Sequence, residues 1–378
     1  MRSNQVLAMK ILTVNTGSSS VRLAAFVRHE EKLTELVSVR DDSGAEPEDI
    51  LQKFAHSNEF ADVNGVAHRV VHGGMRLTSP CLIDRDVERE IERLAPLAPL
   101  HNPVALKWIH AVSEVFGAHT PQVAVFDTAF FTHLPEVAQT YAIPHELTEK
   151  YTLRRYGFHG LAHQAMWQAW REQHPDSLQN GKIISMQLGA GCSITATDNG
   201  LPRDTSMGFS PLEGLMMATR SGDLDPGLMT FLQRQENLTP EQMDRLLNEQ
   251  SGLSGVSGIS ADIRKLLRSK GGHGELAVNL YCYRARKYLG AYLAVLSGTN
   301  AVVFGGGVGE NVPIVREKIL AGMEWCGISV DAQKNSDANS DASGMSRISS
   351  ETSRVEVWVV PVNEAAILAQ EAEAVISG

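Results

Sequence analysis

The segment KILTVNTGSSSVRLAAFV (residues 10–27) sets two short apolar runs, 10–14 and 21–27, around a polar turn of small residues. Apolar and β-branched runs bounded by Asn, Gly and Ser read as the arms of a tight hairpin. The theme returns in KIISMQLGAGCSITATDNG (182–200), again strand, glycine-containing turn and strand, with Asp198-Asn199-Gly200 signalling a further hairpin. Two halves that each open on a hairpin predict two related α/β domains, although the halves share little sequence. Further strands are predicted at 63–74, 123–131, 301–307 and 355–361. Helices are predicted at 48–56, 84–94, 103–116, 211–218, 225–235, 239–249, 274–297, 313–325 and 363–376. Asn102-Pro103 reads as a helix cap followed by a first-turn proline. The Ser-, Asn- and Asp-rich stretch 331–353 reads as a surface loop, and residues 1–8 as a leader, with Met9 a candidate start.

A chain of 378 residues has room for two or three domains and a large core. Hydrophobic residues at 43% and charged residues at 21% exclude a disordered or rod-like chain. The net charge of −10 argues against a nucleic-acid binder or a protein of anionic membrane surfaces, while leaving room for a local basic pocket. Cys81, Cys192, Cys282 and Cys326 lie far apart in the chain, without a CxxC pair, which suits a reducing cytoplasm. No run of ~18 apolar residues predicts a membrane span.

Asn15 through Ser20 put backbone N–H groups, hydroxyls and a carboxamide into one turn, as oxyanion binding requires, although a solvated hairpin turn has the same composition. Gly189-Ala190-Gly191 and Gly305-Gly306-Gly307 let a backbone approach a ligand, and GxxxxGK[ST] is absent, so no P-loop is predicted. Arg69 and Arg220 sit beside small residues and suit phosphoryl chemistry, the alternative being ordinary ion pairs. Asp127 and Glu364 follow apolar strands, where α/β proteins present ligand groups. His68/His72 and His159/His163 have four-residue spacing. HExxH is absent, and in a strand the first pair would stand ~13 Å apart, so zinc is not expected. His159, in the turn RRYGFHG, reads as a functional histidine and His163 as a helix residue with a structural hydrogen bond.

Taken jointly, KILTVNTGSSSVR, AHRVVHGG, LAPLHNP, VFDTAFF, RRYGFHG, MGFSPLEGLMMATRSGDLDPG, SGISADIRKL, VVFGGGVGEN and VPVNEAAI resemble, in order and spacing, the acetate kinase family from residue 10 to about 370. The resemblance implies two ribonuclease-H-like (actin-like ATPase) α/β domains with an active site in the cleft between them. It implies an N-terminal domain of 1–128 with 364–378, and a C-terminal domain of 129–363 carrying the adenosine site. By resemblance, Arg69, Asp127, His159 and Arg220 are catalytic, and Asn15, Asp127 and Glu364 serve Mg2+. Val71, Leu100, Phe158 and Pro211 match the pocket for the acid's alkyl end, with His101 nearby. Ser18, Ser20, Arg22, Gly189, Ala190 and Gly191 match the phosphate-binding positions. Asp262, Ile263, Arg264, Gly307, Val308, Glu310 and Asn311 match the adenosine site.

The implied activity is reversible transfer of a phosphoryl group from ATP to acetate, giving acetyl phosphate and ADP, in a cytoplasmic homodimer. A carboxylate nucleophile is already ionised at pH 7, so a site of arginines, histidine and metal-binding carboxylates needs no general base. The chain departs from the family pattern HLGNGSS, in which Gln187 replaces His and Ala190 replaces Asn, and the usual lysine of the first phosphate turn is Arg22. These departures leave open a propionate or other short-chain carboxylate kinase, a different phosphoryl donor, or a weakened nucleotide-binding regulator of the same fold.

Overall fold

The computed structural model describes residues 9–17, 20–30, 32–57, 60, 62–175, 181–269, 271–338 and 344–378. The leader reading for residues 1–8, and Ser18, lie outside the described residues. The described chain divides into two compact units, one within Met1–Thr132 plus Asn363–Gly378 and one within His133–Val362.

In the N-terminal unit the opening hairpin is built as the sequence suggests, from β1 (Lys10–Thr16) and β2 (Val21–His29), and β3 (Lys32–Asp41) extends it antiparallel. β4 (Gly65–Val70), β5 (Cys81–Leu82) and β6 (Gln122–Phe126) complete a sheet of order β3-β2-β1-β4-β6-β5, with β1, β4 and β6 parallel. The C-terminal unit repeats this plan with β7 (Lys182–Leu188), β8 (Cys192–Asp198), β9 (Leu201–Thr205), β10 (Ala301–Gly305), β11 (Ser346–Arg347) and β12 (Glu356–Val359). Its order, β9-β8-β7-β10-β12-β11, is that of the first sheet strand for strand. This is the ribonuclease-H-like arrangement, present twice.

Leu12, Val14, Leu23 and Ala25 bury one face of the first sheet with Leu51 and Phe54 from helix Pro47–Ser57 and Trp108 and Val112 from helix Asn102–Phe116. The chain returns at its end to cover the sheet with helix Glu364–Ser377: a Cβ added at Gly65 of β4 would stand 2.2 Å from Ile376. Among the described residues no helix is long and apolar enough to cross a membrane.

Several local expectations fail for identifiable reasons. Residues 211–218 form successive turns rather than a helix. Gly214 has φ +103, Asp223 Oδ1 accepts its N–H at 2.8 Å, and a Cβ there would lie 2.5 Å from the Ser206 carbonyl oxygen. The helix expected over 313–325 ends at Leu320, because Gly322 turns the chain at φ +74 into a 3-10 turn at Glu324–Cys326. The stretch 331–353, expected as a loop, contains helix Ala332–Asp337, capped by Asp331, and strand β11; its residues 339–343 lie outside the described residues. What organises it is distant in sequence. The fully buried Arg316 donates to Asn335 Oδ1 at 2.8 Å and to the Asn335 carbonyl at 2.7 Å. Asn102 is not a cap, since His101 holds that position; its buried carboxamide instead bonds the backbone of His72 on both sides and the carbonyl of Ile91.

Gly214→Ala should lower the unfolding midpoint by several degrees, because a left-handed backbone and a backbone clash together cost on the order of 2 kcal/mol in a unit of this size. Thermal unfolding by circular dichroism checks it, and an unchanged midpoint would contradict the wound loop described for residues 206–223.

Candidate functional site

In the N-terminal unit, the ends of three parallel strands and the start of the last helix meet. β4 carries Arg69 and β6 runs directly into Asp127, so the register Arg69↔Val125 brings the two side chains together. Arg69 Nη2 and Nε donate to the two oxygens of Asp127 at 2.6 and 3.2 Å, a bidentate pair that gives direction as well as charge. Arg69 Nη1 also reaches Asn15 Oδ1 at 3.3 Å and the Thr16 carbonyl at 3.2 Å, and Asn15 Nδ2 donates to Glu364 Oε2 at 2.7 Å. Burial works against the Arg69 cation, but the carboxylates of Asp127 and Glu364 outweigh it and raise its pKa, so the guanidinium is permanently charged. Asn15, Arg69, Asp127 and Glu364 are thus one hydrogen-bonded cluster. Glu364 opens its helix while Asn363 caps it, accepting from Ala366 N at 3.1 Å.

In the C-terminal unit His159 caps helix Gly160–Glu172 from a left-handed conformation, φ +58, costly for a residue with a Cβ and characteristic of positions held for function. A Cβ placed on Gly191 would lie 3.3 Å from His159 Nε2 and 3.9 Å from Arg220 Nη1. The glycine turn therefore lies against the imidazole with the guanidinium beside it, and a side chain at Gly191 would crowd the ring. Arg220 Nη1 is steadied by the Pro211 carbonyl at 3.2 Å, and burial lowers the Arg220 pKa. Burial also pushes the Cys192 thiol, beside this turn, up to about 11, so it adds no negative charge.

Two networks support the site; the first realises the helical His163 with a structural hydrogen bond expected from the sequence, while its serine partners and the whole second network escaped that reading. From His159 Nδ1 a chain of contacts runs to Ser193 Oγ (2.9 Å), on to His163 Nε2 (2.8 Å), and from His163 Nδ1 to Ser185 Oγ (2.7 Å). Burial, then the neighbouring His159, drives the pKa of His163 well below its ordinary value, so His163 is neutral and Ser193 links the two rings. The four-residue spacing of the two histidines was the available signal. The second network holds the loop that carries Arg220: Glu213 Oε1 accepts from Arg155 Nη2 at 2.5 Å, Glu213 also accepts from Tyr141, and Tyr141 takes the Phe209 N–H at 2.7 Å. Nothing in the local sequence links positions 141, 155 and 213.

The remaining expected residues are placed as follows. Val71 and Phe158 are buried, Pro211 is half-buried and Leu100 is 53% exposed. Gln187 Oε1 is a buried acceptor without a partner among the described residues, its amide nitrogen packs against Gly306, and Ala190 is exposed with its carbonyl taking the Ala218 N–H at 3.1 Å. Asp262 caps helix Ile263–Arg268 and pairs with Arg264 at 3.1 Å on the surface, while the Ile263 side chain is buried. Gly307, Val308, Glu310 and Asn311 share helix Gly306–Asn311, in which Glu310 Oε1 accepts the N–H groups of Gly306 (2.8 Å) and Val362 (3.1 Å) and Asn311 bonds the Gly307 carbonyl. Glu310 therefore braces the glycine turn.

Residues 7–370 match the model of the Acetokinase family. The chain is 46% identical to the acetate kinase of Chloroherpeton thalassium over 82% of this chain and 75% of that protein, and 40% identical to that of Dictyoglomus turgidum over 97% and 98%. Its fold superposes on the crystal structure of Porphyromonas gingivalis acetate kinase with a TM-score of 0.85 at 35% identity, covering 98% of this chain and 100% of that one. A propionate kinase from Francisella tularensis superposes with a TM-score of 0.86 at 34% identity, covering 96% and 98%. With a match over nearly its whole length, and with the fold found twice in its sheets, the chain belongs to the acetokinase family.

Proposed function

We propose that the chain is an acetate kinase. A carboxylate oxygen of acetate attacks the terminal phosphorus of ATP in line, the bond to the bridging oxygen of ADP breaks, and acetyl phosphate leaves; the reverse reaction runs through the same transition state. The observation that carries this reading is the proximity of His159 Nε2 and Arg220 Nη1 to the Gly191 turn, which brings an imidazole and a guanidinium charge to one glycine turn. Arg69, Arg220 and His159 take the oxygens of the transferred group, so catalysis comes from alignment and neutralisation. Val71, Leu100, Phe158 and Pro211 receive the methyl group. Ser20, Arg22 and the Gly189–Gly191 turn receive the phosphates, and the Asp262–Arg264 and Gly307–Asn311 segments the adenosine.

The carboxylates of Glu364 and Asp127 and the carboxamide of Asn15 fit Mg2+, which favours one or two carboxylates with waters and substrate phosphates over an all-protein cage. When bound, Mg2+ neutralises and orients the phosphate chain. Family resemblance further supports a homodimer acting in the cytoplasm. Trapping of acyl phosphate with hydroxylamine, using acetate or propionate and ATP or pyrophosphate, tests the reading; no acyl phosphate with any pair would refute it.

Arg69→Ala and Arg220→Ala should each lower kcat by roughly 10²-fold or more, as loss of one transition-state donor does, with circular dichroism unchanged. Near-normal turnover in either folded variant would remove that arginine from the site. Val71→Ala should narrow the preference for acetate over propionate by up to about 10-fold in kcat/KM, since a methylene in an apolar pocket is worth ~1–3 kcal/mol; an unchanged ratio would place the wall elsewhere. Gln187→His with Ala190→Asn should raise ATP-dependent kcat/KM, by roughly 10²-fold if both restored contacts reach charged phosphates. A fall would mark Gln187 and Ala190 as adaptations of this chain.

A further inference from the structure

A row of polar side chains crosses the sheet of the N-terminal unit from strand to strand. Asn15 of β1 is paired with Arg22 of β2, and Arg22 with Arg40 of β3. On the other side of β1, Val14 is paired with His68, which sets Asn15 beside Arg69 of β4. Residues in register project from the same face, so Arg69, Asn15, Arg22 and Arg40 form one line.

Two of these arginines are badly placed for stability alone. Like charges directly opposite each other on antiparallel strands repel, and Arg22 stands directly opposite Arg40. Arg69 has its counterion in Asp127, whereas Arg22 has the neutral Ser38 Oγ at 2.8 Å, and neither Arg22 nor Arg40 enters an ion pair among the described residues. Asp41, the acid adjacent to Arg40 in sequence, is paired with Val21 and bonds Ser43 through Oδ1. The row lines an open cavity of about 410 Å³ with Gly17, Ser20 and Ser38, and no carboxylate lines it among the described residues. Hydroxyls, a carboxamide and three guanidinium groups are a donor set for an oxyanion.

The length of the row indicates which oxyanion. Four adjacent strands span about 14 Å at ~4.8 Å per step, more than one phosphoryl group occupies. We propose that Arg40, with Arg22, is a subsite for a second phosphate group of the substrate, next to the group held at Arg69, so that the cavity selects a polyphosphate chain over a monophosphate. The proposal rests on Arg69 belonging to the phosphoryl-transfer site. The bound chain supplies the anion that relieves the repulsion between Arg22 and Arg40.

Steady-state kinetics of Arg40→Gln and Arg40→Lys test it. Arg40→Gln should raise the KM for ATP and ADP by roughly 10-fold, the effect of losing one charge-assisted contact, while the KM values for acetate and acetyl phosphate change less than about 2-fold. Arg40→Lys should recover part of the loss. In parallel, pyrophosphate without nucleotide should raise the unfolding midpoint of the wild type more than inorganic phosphate does, and Arg40→Gln should abolish the difference. Unchanged ATP and ADP constants, or an equal loss for acetyl phosphate, would overturn the subsite. A wild type without acetate-dependent turnover would refute the acetate kinase reading, while the pyrophosphate measurement would still decide the role of Arg40: equal midpoints in the wild type and the variant would refute the subsite by themselves.

Discussion

The bidentate pair between Arg69 and Asp127 is the interaction on which the N-terminal cluster depends. Asp127 is almost fully buried, and a carboxylate removed from water without a partner would cost several kcal/mol. Its partner must arrive from the adjacent parallel strand in one register, because a shift of one residue would turn Arg69 to the opposite face of the sheet. The β1–β4–β6 ladder and the helix Glu364–Ser377 laid on it therefore serve electrostatics as much as packing. Once fixed, Arg69 orients Asn15, and Asn15 engages Glu364.

The C-terminal unit reaches a comparable result by other means. Its sheet has the same strand order, but Arg220 stands on an irregular loop rather than on a strand. A loop of this kind keeps its shape only if its polar groups are paired within the protein. Glu213, Arg155 and Tyr141 provide one such brace, and Asp223, which holds Gly214 N–H and the Tyr288 hydroxyl at 2.7 Å, provides another. The left-handed backbone at His159 and the open glycine at Gly191 are tolerated for the same reason: the surrounding bonds over-determine them.

Much of this could be read in the chain itself. The alternation of apolar runs and small polar turns at 10–27 and 182–200 determined two hairpin-led α/β units, because strand pairing within a hairpin is local and its turn chemistry is written at the turn. The helices expected from 84, 225 and 239 are held by caps of the same local kind, with Asp84, Asp225 and Thr239 accepting from N–H groups two or three residues away. The candidate residues of the site were legible because each lies in a short segment with its own composition.

What the sequence could not reveal is the set of arrangements that depend on residues distant in the chain. The strand-for-strand identity of the two sheets is visible only in the pairing, since a fold constrains burial and register more tightly than it constrains residue identity. Residues 211–218 carry helix-forming side chains, yet Gly214 is pressed against the backbone of Ser206 and the helix is lost. Residues 332–337 lack helical periodicity, yet a buried arginine sixteen or more residues upstream supplies the bonds that organise them. The row from Arg69 to Arg40 crosses four strands in the spatial order β4-β1-β2-β3, and only the register of their pairing aligns it. Local composition therefore determined the elements and the candidate chemistry, and tertiary structure alone decided which charged groups are neutralised and which face one another, because ion pairing is set by distance in space.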